Sequence, residues 1–396
     1  MIDHLYYREL HNPADDTIKI KDLKYLLREE REVDDLIRKQ FPLDSFDDLF
    51  ADLNIKGSKA LMDAFNSSYD QKMDILTSFG DVEYIGLDDK DEIILNFKND
   101  DINASGIYNF TYTFLEEFSM GKFGIFCIKE GYNDILKDNL VRLFKEMKDK
   151  EKQYRLIKKN EEYFLRGLTS NRYNNYDNHI ALYLTLLSLH KFSKDNKIEY
   201  KVKSAYLSES AMSIFFEQEK PTLIPEVGNI YFGAAVNNSE IRESAYNFEL
   251  RYRIEDLKDK TKQFSAIPNL MDSVFTLSHG MGIEKVAERV QNIFRLKQLQ
   301  NSMLEFVVNL RKVKVLTAEI IFVLYRKIIY NKYFTAATKS RFKEIHEKNL
   351  VKNTLSLIEA FNLVNTVTTD FDERIFLERI YHEIITEITS GREMAG

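Results

Sequence analysis

The chain has 396 residues, which allows two or three domains and excludes a single small one. Its 56 Lys and Arg residues against 63 Asp and Glu residues give a formal net charge of -7. This balance excludes coating of nucleic acid by bulk electrostatics alone, because that mode requires an excess of basic residues. With Cys127 as its one cysteine, the chain has neither a disulfide framework nor a thiolate metal cluster.

The same features lead to an expectation about location. The chain does not open with the basic and apolar segment of a secretory signal. Its most apolar helical stretch, residues 315–329, is interrupted by Glu319, Arg326 and Lys327, which argues against a membrane span. We therefore expect a protein of a reducing bacterial cytoplasm, with incorporation into a virion as the alternative.

The first 80 residues predict an acidic helical region. Between residues 18 and 75, apolar side chains such as Leu26, Ile37, Leu53 and Leu61 recur near helical spacing. The remaining positions are rich in Asp and Glu, which we interpret as a solvated face, with binding of a partner or metal as the alternative.

Residues 81–265 predict an α+β core domain with a mainly antiparallel sheet. Short β-branched or aromatic runs, such as 92–97 and 122–128, alternate with Gly, Asn, Asp and Ser. The pattern also indicates helices at 132–150 and 178–193 and a strand near 161–168.

The clearest predicted strand covers residues 245–254. Alternation places Tyr246 and Tyr252 with other apolar residues on a buried face, and Arg251 and Arg253 on a wet face. We expect it to pair with residues 228–236 through a polar, projecting loop at 237–244.

Residues 266–396 predict a helical C-terminal region, because apolar residues recur at helical spacing and proline is absent after Pro268. The candidate helices are 283–312, 315–331, 351–366 and 371–389. The whole chain therefore predicts an α+β fold with N-terminal helices, a central mainly antiparallel sheet with two helices, and a helical C-terminal third.

Three stretches carry a resemblance to a known family. They are LRGLTSNRYNNYDN at 165–178, GNIYFGAAVNNSE at 228–240 and NTLSLIEAFNLVNTVT at 353–368. In order and spacing they resemble an uncharacterised phage/plasmid-like protein family of unknown function, over about residues 120–390. The chain departs from that pattern at Asn229, where the family tends to have Asp, and lacks a recognisable Cys-x-Asn-Gly element. The resemblance implies a phage or mobile-element origin and, by a weaker analogy, a relation to phage single-strand annealing proteins of the Red-beta and RecT class.

A candidate nucleic-acid-binding site combines basic and aromatic residues. The loop at 170–176 supplies a guanidinium for phosphate and two tyrosine rings for stacking of unpaired bases. Alternatively, its Asn and Ser residues form a turn and its tyrosines pack beneath it. A predicted basic helix at 142–159 and the wet strand face complete the hypothetical groove. Its candidate residues are Arg155, Lys158, Lys159, Arg172, Tyr173, Tyr176, Arg251 and Arg253.

A second basic segment lies nearer the C terminus. From residue 295 to 343 there are eleven Lys and Arg residues but only two carboxylates, Glu305 and Glu319. The N-terminal helices are acidic and this segment is basic. This difference in charge is compatible with a groove that follows a nucleic-acid backbone, with head-to-tail contacts between subunits, or with ordinary solvated helices.

The sequence assigns no catalytic residue, metal ligand or cofactor. The seven histidines form no metal-binding pair on a helix, and the glycines at 279–282 lack the context of a phosphate loop. Glu240 and Glu243 leave open a metal-dependent nuclease, but two nearby carboxylates are common on surfaces.

We therefore expect a non-enzymatic phage or mobile-element protein that binds single-stranded DNA, with annealing as an associated activity and a homo-oligomer as its form. The rival hypothesis is a phage structural protein or an inhibitor of host defence that binds protein partners.

Overall fold

A computed structural model describes most of the chain. The described residues are 5–29, 31–69, 71–170, 175–241, 245–268, 274–313 and 315–390. They confirm the predicted α+β class and the helical C-terminal region. The predicted central sheet is in fact two sheets.

Fifteen strands form within the described ranges. In chain order they are β1 Tyr7–His11, β2 Ile55–Lys56, β3 Lys72–Ser78, β4 Val82–Leu87, β5 Ile93–Phe97, β6 Ile102–Gly106, β7 Glu151–Lys159, β8 Glu162–Thr169, β9 Tyr200–Ser208, β10 Ala211–Gln218, β11 Thr222–Ile224, β12 Gly228–Ser239, β13 Tyr246–Glu255, β14 Gln263–Ala266 and β15 Phe275–Leu277.

Twelve α-helices form in the same ranges. They are α1 Glu32–Gln40, α2 Ser58–Tyr69, α3 Phe110–Glu116, α4 Gly121–Lys129, α5 Asn133–Glu146, α6 Asn178–Asn196, α7 Ile283–Gln291, α8 Leu296–Val308, α9 Ala318–Ile329, α10 Ala336–Ile345, α11 Leu357–Val364 and α12 Phe371–Ser390. No helix among the described residues has both the length and the apolar character that crossing a membrane requires.

The smaller sheet has the strand order β3-β7-β8-β6-β5-β4. Its neighbours pair antiparallel except β6 and β8, which are parallel. Helices α3, α4 and α5 cover one face, and Phe114 of α3 and Phe144 of α5 form an aromatic cluster with Phe79. This sheet and its helices make a hydrophobic core of their own.

Two predictions in this part of the chain are wrong. The apolar run at 122–128 is helix α4 and not a strand, with Gly124, Cys127 and Ile128 facing the core. Short apolar runs fit both structures, so periodicity could not separate them. The basic helix expected at 142–159 ends at Glu146, and residues 151–159 form β7.

The larger sheet follows the order β1-β9-β10-β12-β13-β14, with β2, β11 and β15 paired to β9, β12 and β13. The predicted hairpin of β12 and β13 is confirmed, with Gly233 opposite Arg251. The face that carries Tyr246, Phe248 and Tyr252 is buried, as expected. β12 continues to Ser239 and so takes up the start of the predicted loop.

Helix α6 fills the centre of the larger core. Every residue from 178 to 190 is buried, as expected of a helix surrounded on all sides. The hydroxyl of Tyr183 donates to the backbone oxygen of Phe41 at 2.6 Å, which ties α6 to the N-terminal region. That region is only partly helical: a 3-10 helix at Ile20–Leu26 precedes α1, and a second one at Leu43–Ser45 and the strand β2 lie between α1 and α2.

The C-terminal helices pack against the larger sheet. The helix expected at 283–312 is broken into α7 and α8 by a 3-10 turn at Asn292–Arg295, and α10 was not predicted. Helix α12 lies against the edge strand β14, where the backbone nitrogen of Ile267 donates to the backbone oxygen of Glu378. The larger core combines buried residues from Ile18 to Phe65 and from Tyr176 to Ile385, and so includes side chains from all three predicted regions.

Candidate functional site

A cluster of charged side chains is buried where the two sheets meet. We call it the buried charge cluster. Strands β3, β7 and β8 of the smaller sheet supply four members, and the start of α1, the start of α6 and the end of β12 supply the others. Its members are Arg31, Lys72, Asp74, Arg155, Arg166, Asp177 and Glu240.

Arg155 lies at the centre of this cluster and is completely buried. Its Nε donates to Oδ1 of Asp74 at 2.7 Å, and its Nη2 donates to Oδ2 of Asp177 at 2.6 Å. Arg31 also donates to Asp177, at 2.9 Å, and pairs with Asp74. Nη1 of Arg155 donates to the backbone oxygen of Glu240 at 3.2 Å, so carboxylates and a carbonyl oxygen together satisfy the guanidinium, as burial of a charge requires.

Glu240 is the second centre of the cluster. Its Oε1 accepts from Nζ of Lys72 at 2.9 Å, and its Oε2 accepts from Nη1 of Arg166 at 2.6 Å. Burial disfavours the charged carboxylate, but the cations Lys72, Arg166 and Arg155 outweigh burial and lower the pKa of Glu240 to about 2. Glu240 is therefore ionised at neutral pH.

Asp177 behaves in the same way. Its burial opposes ionisation, but Arg155 and Arg31 hold its pKa far below the ordinary value. For Lys72, by contrast, burial lowers the pKa and Glu240 only partly compensates. The cluster thus depends on close charge pairing across the boundary between the sheets.

Two of the three stretches that carry the family resemblance meet at this cluster. Nδ2 of Asn238 donates to Oδ1 of Asn178 at 2.8 Å and to the backbone oxygen of Tyr176 at 3.2 Å. The backbone nitrogen of Asn178 donates to Oε1 of Glu240 at 3.0 Å. The loop that leads into α6 is therefore attached to the end of β12.

Several polar atoms here are buried without a hydrogen-bond partner in the described part of the chain. They are Nη2 of Arg166, Oδ1 of Asp177, Nδ2 of Asn178 and Oδ1 of Asn238. The cluster is therefore held by ion pairs more than by saturated hydrogen bonding, which makes it sensitive to the loss of one charge.

The candidate residues Arg155 and Tyr176 are thus inside the protein. Tyr176 is 2% exposed, and its hydroxyl donates to the backbone oxygen of Met281 at 2.6 Å. For the loop at 170–176 the alternative interpretation was that its tyrosines pack beneath it, and Tyr176 does so. Arg172 and Tyr173 lie outside the described residues.

The prediction of a wet strand face with Arg251 and Arg253 is wrong. Both Nε and Nη2 of Arg251 donate to the carboxylate of Glu378 on α12, at 2.8 and 2.7 Å. Arg253 binds both carboxylate oxygens of Glu217 on β10 in the same way, at 2.7 and 2.8 Å. Both arginines are buried, and their charges are neutralised by these carboxylates and, for Arg253, also by Glu255 at 2.9 Å.

Lys158 and Lys159 stay partly exposed beside the turn between β7 and β8. Lys158 pairs with Glu161 at 2.7 Å, and Nζ of Lys159 donates to the backbone oxygen of Leu5 at 2.8 Å. With Arg155, Arg251 and Arg253 buried, the described candidate residues do not assemble into a basic groove.

Glu240, one of the two metal ligands of the nuclease hypothesis, is not available to bind a metal ion. The carboxylate of Glu240 is fully buried and already binds Lys72 and Arg166, while Glu243 is outside the described residues. No group of His, Cys, Asp and Glu suited to a metal ion occurs among the described residues.

An exposed face of helix α9 combines aromatic and basic side chains. Phe322, Arg326 and Tyr330 follow one another at intervals of four residues, so they share one face. Phe322 is 55% exposed and Tyr330 is 77% exposed. Lys332 and Tyr333 follow directly after the helix and are exposed as well. We call these five residues the α9 face.

The rest of α9 holds this face outward. Ile320, Leu324 and Ile328 on the opposite side are buried in the larger core. Lys327 forms ion pairs with Glu383 and Glu387 of α12, at 2.9 and 3.2 Å. The orientation of the helix is therefore fixed by apolar packing and by a contact with its neighbour.

The geometry of the α9 face suits flat or anionic ligands. The guanidinium of Arg326 lies 5.9 Å from the centre of the Phe322 ring, and Nζ of Lys332 lies 5.4 Å from that of Tyr333. Tyr333 stacks on Phe376 with 4.0 Å between ring centres, which supports one side of its ring. Sequence reasoning found the basic residues here but missed the aromatic ones, although Phe322 and Tyr330 each lie four residues from Arg326 in the sequence.

Comparison of the chain with protein-family models, with curated proteins and with solved structures finds no match.

Proposed function

We propose that this protein binds single-stranded DNA through the α9 face and has no catalytic activity of its own. The observation that carries the proposal is the exposure of Phe322 and Tyr330 on either side of Arg326. Unpaired bases stack on exposed aromatic rings whatever their identity, and a cation between the rings contacts the phosphates that join those bases.

The distribution of accessible charge supports this location. Basic residues near the predicted groove, such as Arg155 and Arg166, are neutralised inside the protein. Those between residues 295 and 343 are mostly exposed, including Arg326, Lys332 and Arg341. Because counterion release requires cations that phosphates can reach, the C-terminal helices are the better surface for nucleic acid.

The preference for single strands follows from the chemistry of the face. Base faces are hidden by stacking in a duplex and are available only in unpaired strands. The resemblance to a phage/plasmid-like family, and the analogy with single-strand annealing proteins, extend the proposal to a phage or mobile-element protein that anneals complementary strands.

The test is fluorescence anisotropy with labelled single-stranded and duplex DNA across a series of salt concentrations. The proposal expects tighter binding of the single strand and a steep loss of affinity as salt rises. Absence of binding at low salt overturns it and favours the rival protein-interaction function. Fluorescence energy transfer between labelled complementary strands then measures annealing with and without the protein.

A further inference from the structure

A pocket lies where the open end of the β12–β13 hairpin meets the C-terminal helices. Its volume is about 270 Å³. This is slightly below the roughly 300–1,000 Å³ of most ligand sites, so the pocket suits a small molecule. Its floor is apolar, because Ile254, Phe264, Leu310 and Leu357 line it, and each of these residues is at most 5% exposed.

The charged side chains of the pocket lie at the open end of the hairpin. Glu226 precedes β12 and Asp256 follows β13, and the pairing of these two strands brings both carboxylates to the same end. Arg311 belongs to the 3-10 turn after α8, and its Nε donates to the backbone oxygen of Pro225 at 3.0 Å. A guanidinium and two carboxylates therefore share the rim of an apolar floor.

These charges are accessible to a ligand. Glu226 and Arg311 are exposed, and neither forms an ion pair within the part of the chain that the structure describes. Asp256 accepts only from backbone nitrogens there, those of residues 258 and 259, at 2.8 and 2.9 Å. The nearby carboxylate of Glu359 is different, because Lys262 neutralises it at 2.7 Å.

Charges of both signs beside an apolar floor match an apolar α-amino acid. Such a molecule carries an ammonium group and a carboxylate on one carbon atom, so its recognition requires both signs of charge at one rim. A guanidinium binds a carboxylate through two parallel hydrogen bonds, and carboxylates bind an ammonium group. The floor favours an apolar side chain, because burial of apolar surface stabilises the complex.

We propose that this pocket binds a free apolar α-amino acid of about the size of leucine. The ligand carboxylate binds Arg311, and its ammonium group binds Glu226 and Asp256. Its side chain packs on Phe264 and Leu310. The pocket contains no residue of the α9 face, so this binding is independent of the proposed binding of DNA.

The test is isothermal titration calorimetry of the full chain with L-leucine, without nucleic acid. Saturable binding of leucine is expected. Alanine lacks most of the apolar side chain and is expected to bind roughly tenfold or more weakly. The same is expected of 4-methylpentanoate, which is leucine without its ammonium group, and of 3-methylbutylamine, which is leucine without its carboxylate, because each loses a charged hydrogen bond.

Variants identify the groups that hold the ligand. Arg311→Ala is expected to weaken leucine binding roughly tenfold or more and to leave the affinity for 3-methylbutylamine unchanged, since that compound has no carboxylate. A general loss of structure would weaken both ligands alike. The matched control is Lys312→Ala, because Lys312 is also basic and exposed but does not line the pocket. It is expected to bind leucine like the wild type.

A further variant tests the position of the ligand. Val313 lines the pocket and is partly exposed, so Val313→Trp is expected to fill the pocket and abolish binding. Circular dichroism checks that each variant folds.

Absence of binding by leucine up to its solubility limit overturns the proposal. Equal affinity for leucine and 3-methylbutylamine, or wild-type affinity for leucine in folded Arg311→Ala or Val313→Trp, overturns it as well. Because no DNA is present, failure here says nothing about the α9 face, and failure of DNA binding leaves this result unchanged.

Discussion

Lys72 and Glu240 are 168 positions apart in the chain, yet Nζ of the lysine lies 2.9 Å from Oε1 of the glutamate, and both side chains are buried. Lys72 belongs to the edge strand β3 of the smaller sheet, and Glu240 follows β12 of the larger one. This pair and its neighbours in the buried charge cluster connect the two sheets.

Replacing Glu240 with Gln is expected to destabilise the protein strongly. The substitution keeps the shape but removes the charge that neutralises Lys72 and Arg166. Removal of one partner from a buried ion pair typically costs about 3–5 kcal/mol. The measurement is the free energy of unfolding from urea titrations followed by circular dichroism.

The matched control for this variant is Glu161→Gln. Glu161 also pairs with a lysine, Lys158 at 2.7 Å, but its side chain is 89% exposed. An exposed pair contributes about 0–1 kcal/mol, so the control is expected to unfold almost like the wild type. Equal stability of the two variants would show that the cluster does not connect the sheets energetically.

The stability contributed by Glu240 is expected to depend on pH. The pKa of Glu240 is about 2 in the folded protein, below its ordinary value of 4.5. Because the pKa of Glu240 is lower in the folded protein, its stabilisation is complete when the pH is above the ordinary pKa. The stabilisation is lost as the pH falls through the pKa of the folded protein. For this shift the loss is about 3 kcal/mol.

Urea titrations of the wild type and of Glu240→Gln between about pH 5 and about pH 2 test this dependence. The difference in unfolding free energy between the two proteins is expected to shrink as pH falls, because only the wild type has a carboxylate to protonate. A constant difference over this range would mean that Glu240 is not held ionised by the cluster.

The buried arginines of β13 are expected to make no contribution to DNA binding. Replacing Arg251 with Met and Glu378 with Leu together removes a buried ion pair without leaving an unpaired charge, which is often nearly neutral for stability. The salt dependence of single-strand binding is expected to match that of the wild type. A flatter dependence would show that Arg251 reaches phosphate after all.

Arg326 is expected to contact phosphate directly. For single strands, each phosphate contact contributes about 0.7 to the slope of log affinity against log salt concentration. Arg326→Ala is therefore expected to flatten that slope by about 0.7. Lys90→Ala, at an exposed position in the turn between β4 and β5, is the control and is expected to keep the wild-type slope.

Hydrophobic periodicity in the sequence correctly predicted some of the individual helices and strands. The alternation from Tyr246 to Ile254 and the apolar content of 178–193 identified β13 and α6, because the apolar residues of each element indicate its type without information from the rest of the chain. The run at 122–128 failed, since a short apolar segment packs equally well as a strand or a helix.

The candidate site was harder to predict, because exposure of a charged residue depends on partners elsewhere in the chain. Nothing near Arg155 in sequence reveals Asp74, and nothing near Arg251 reveals Glu378. Alternation indicated correctly that Arg251 and Tyr252 face opposite sides of the sheet. It carried no information that α12 and its carboxylates would cover the polar side.

The most direct test of the account compares single-strand binding by three proteins. They are the wild type, the double variant that carries both Phe322→Ala and Tyr330→Ala, and the control variant Tyr25→Ala. Tyr25 is 67% exposed and lies beside Lys24, so it is matched in exposure and charge but lies outside the α9 face. Loss of one stacked base costs about 1–3 kcal/mol, or roughly five- to 150-fold in affinity. The account predicts at least this loss for the double variant and none for the control. Equal affinity of all three proteins would contradict it.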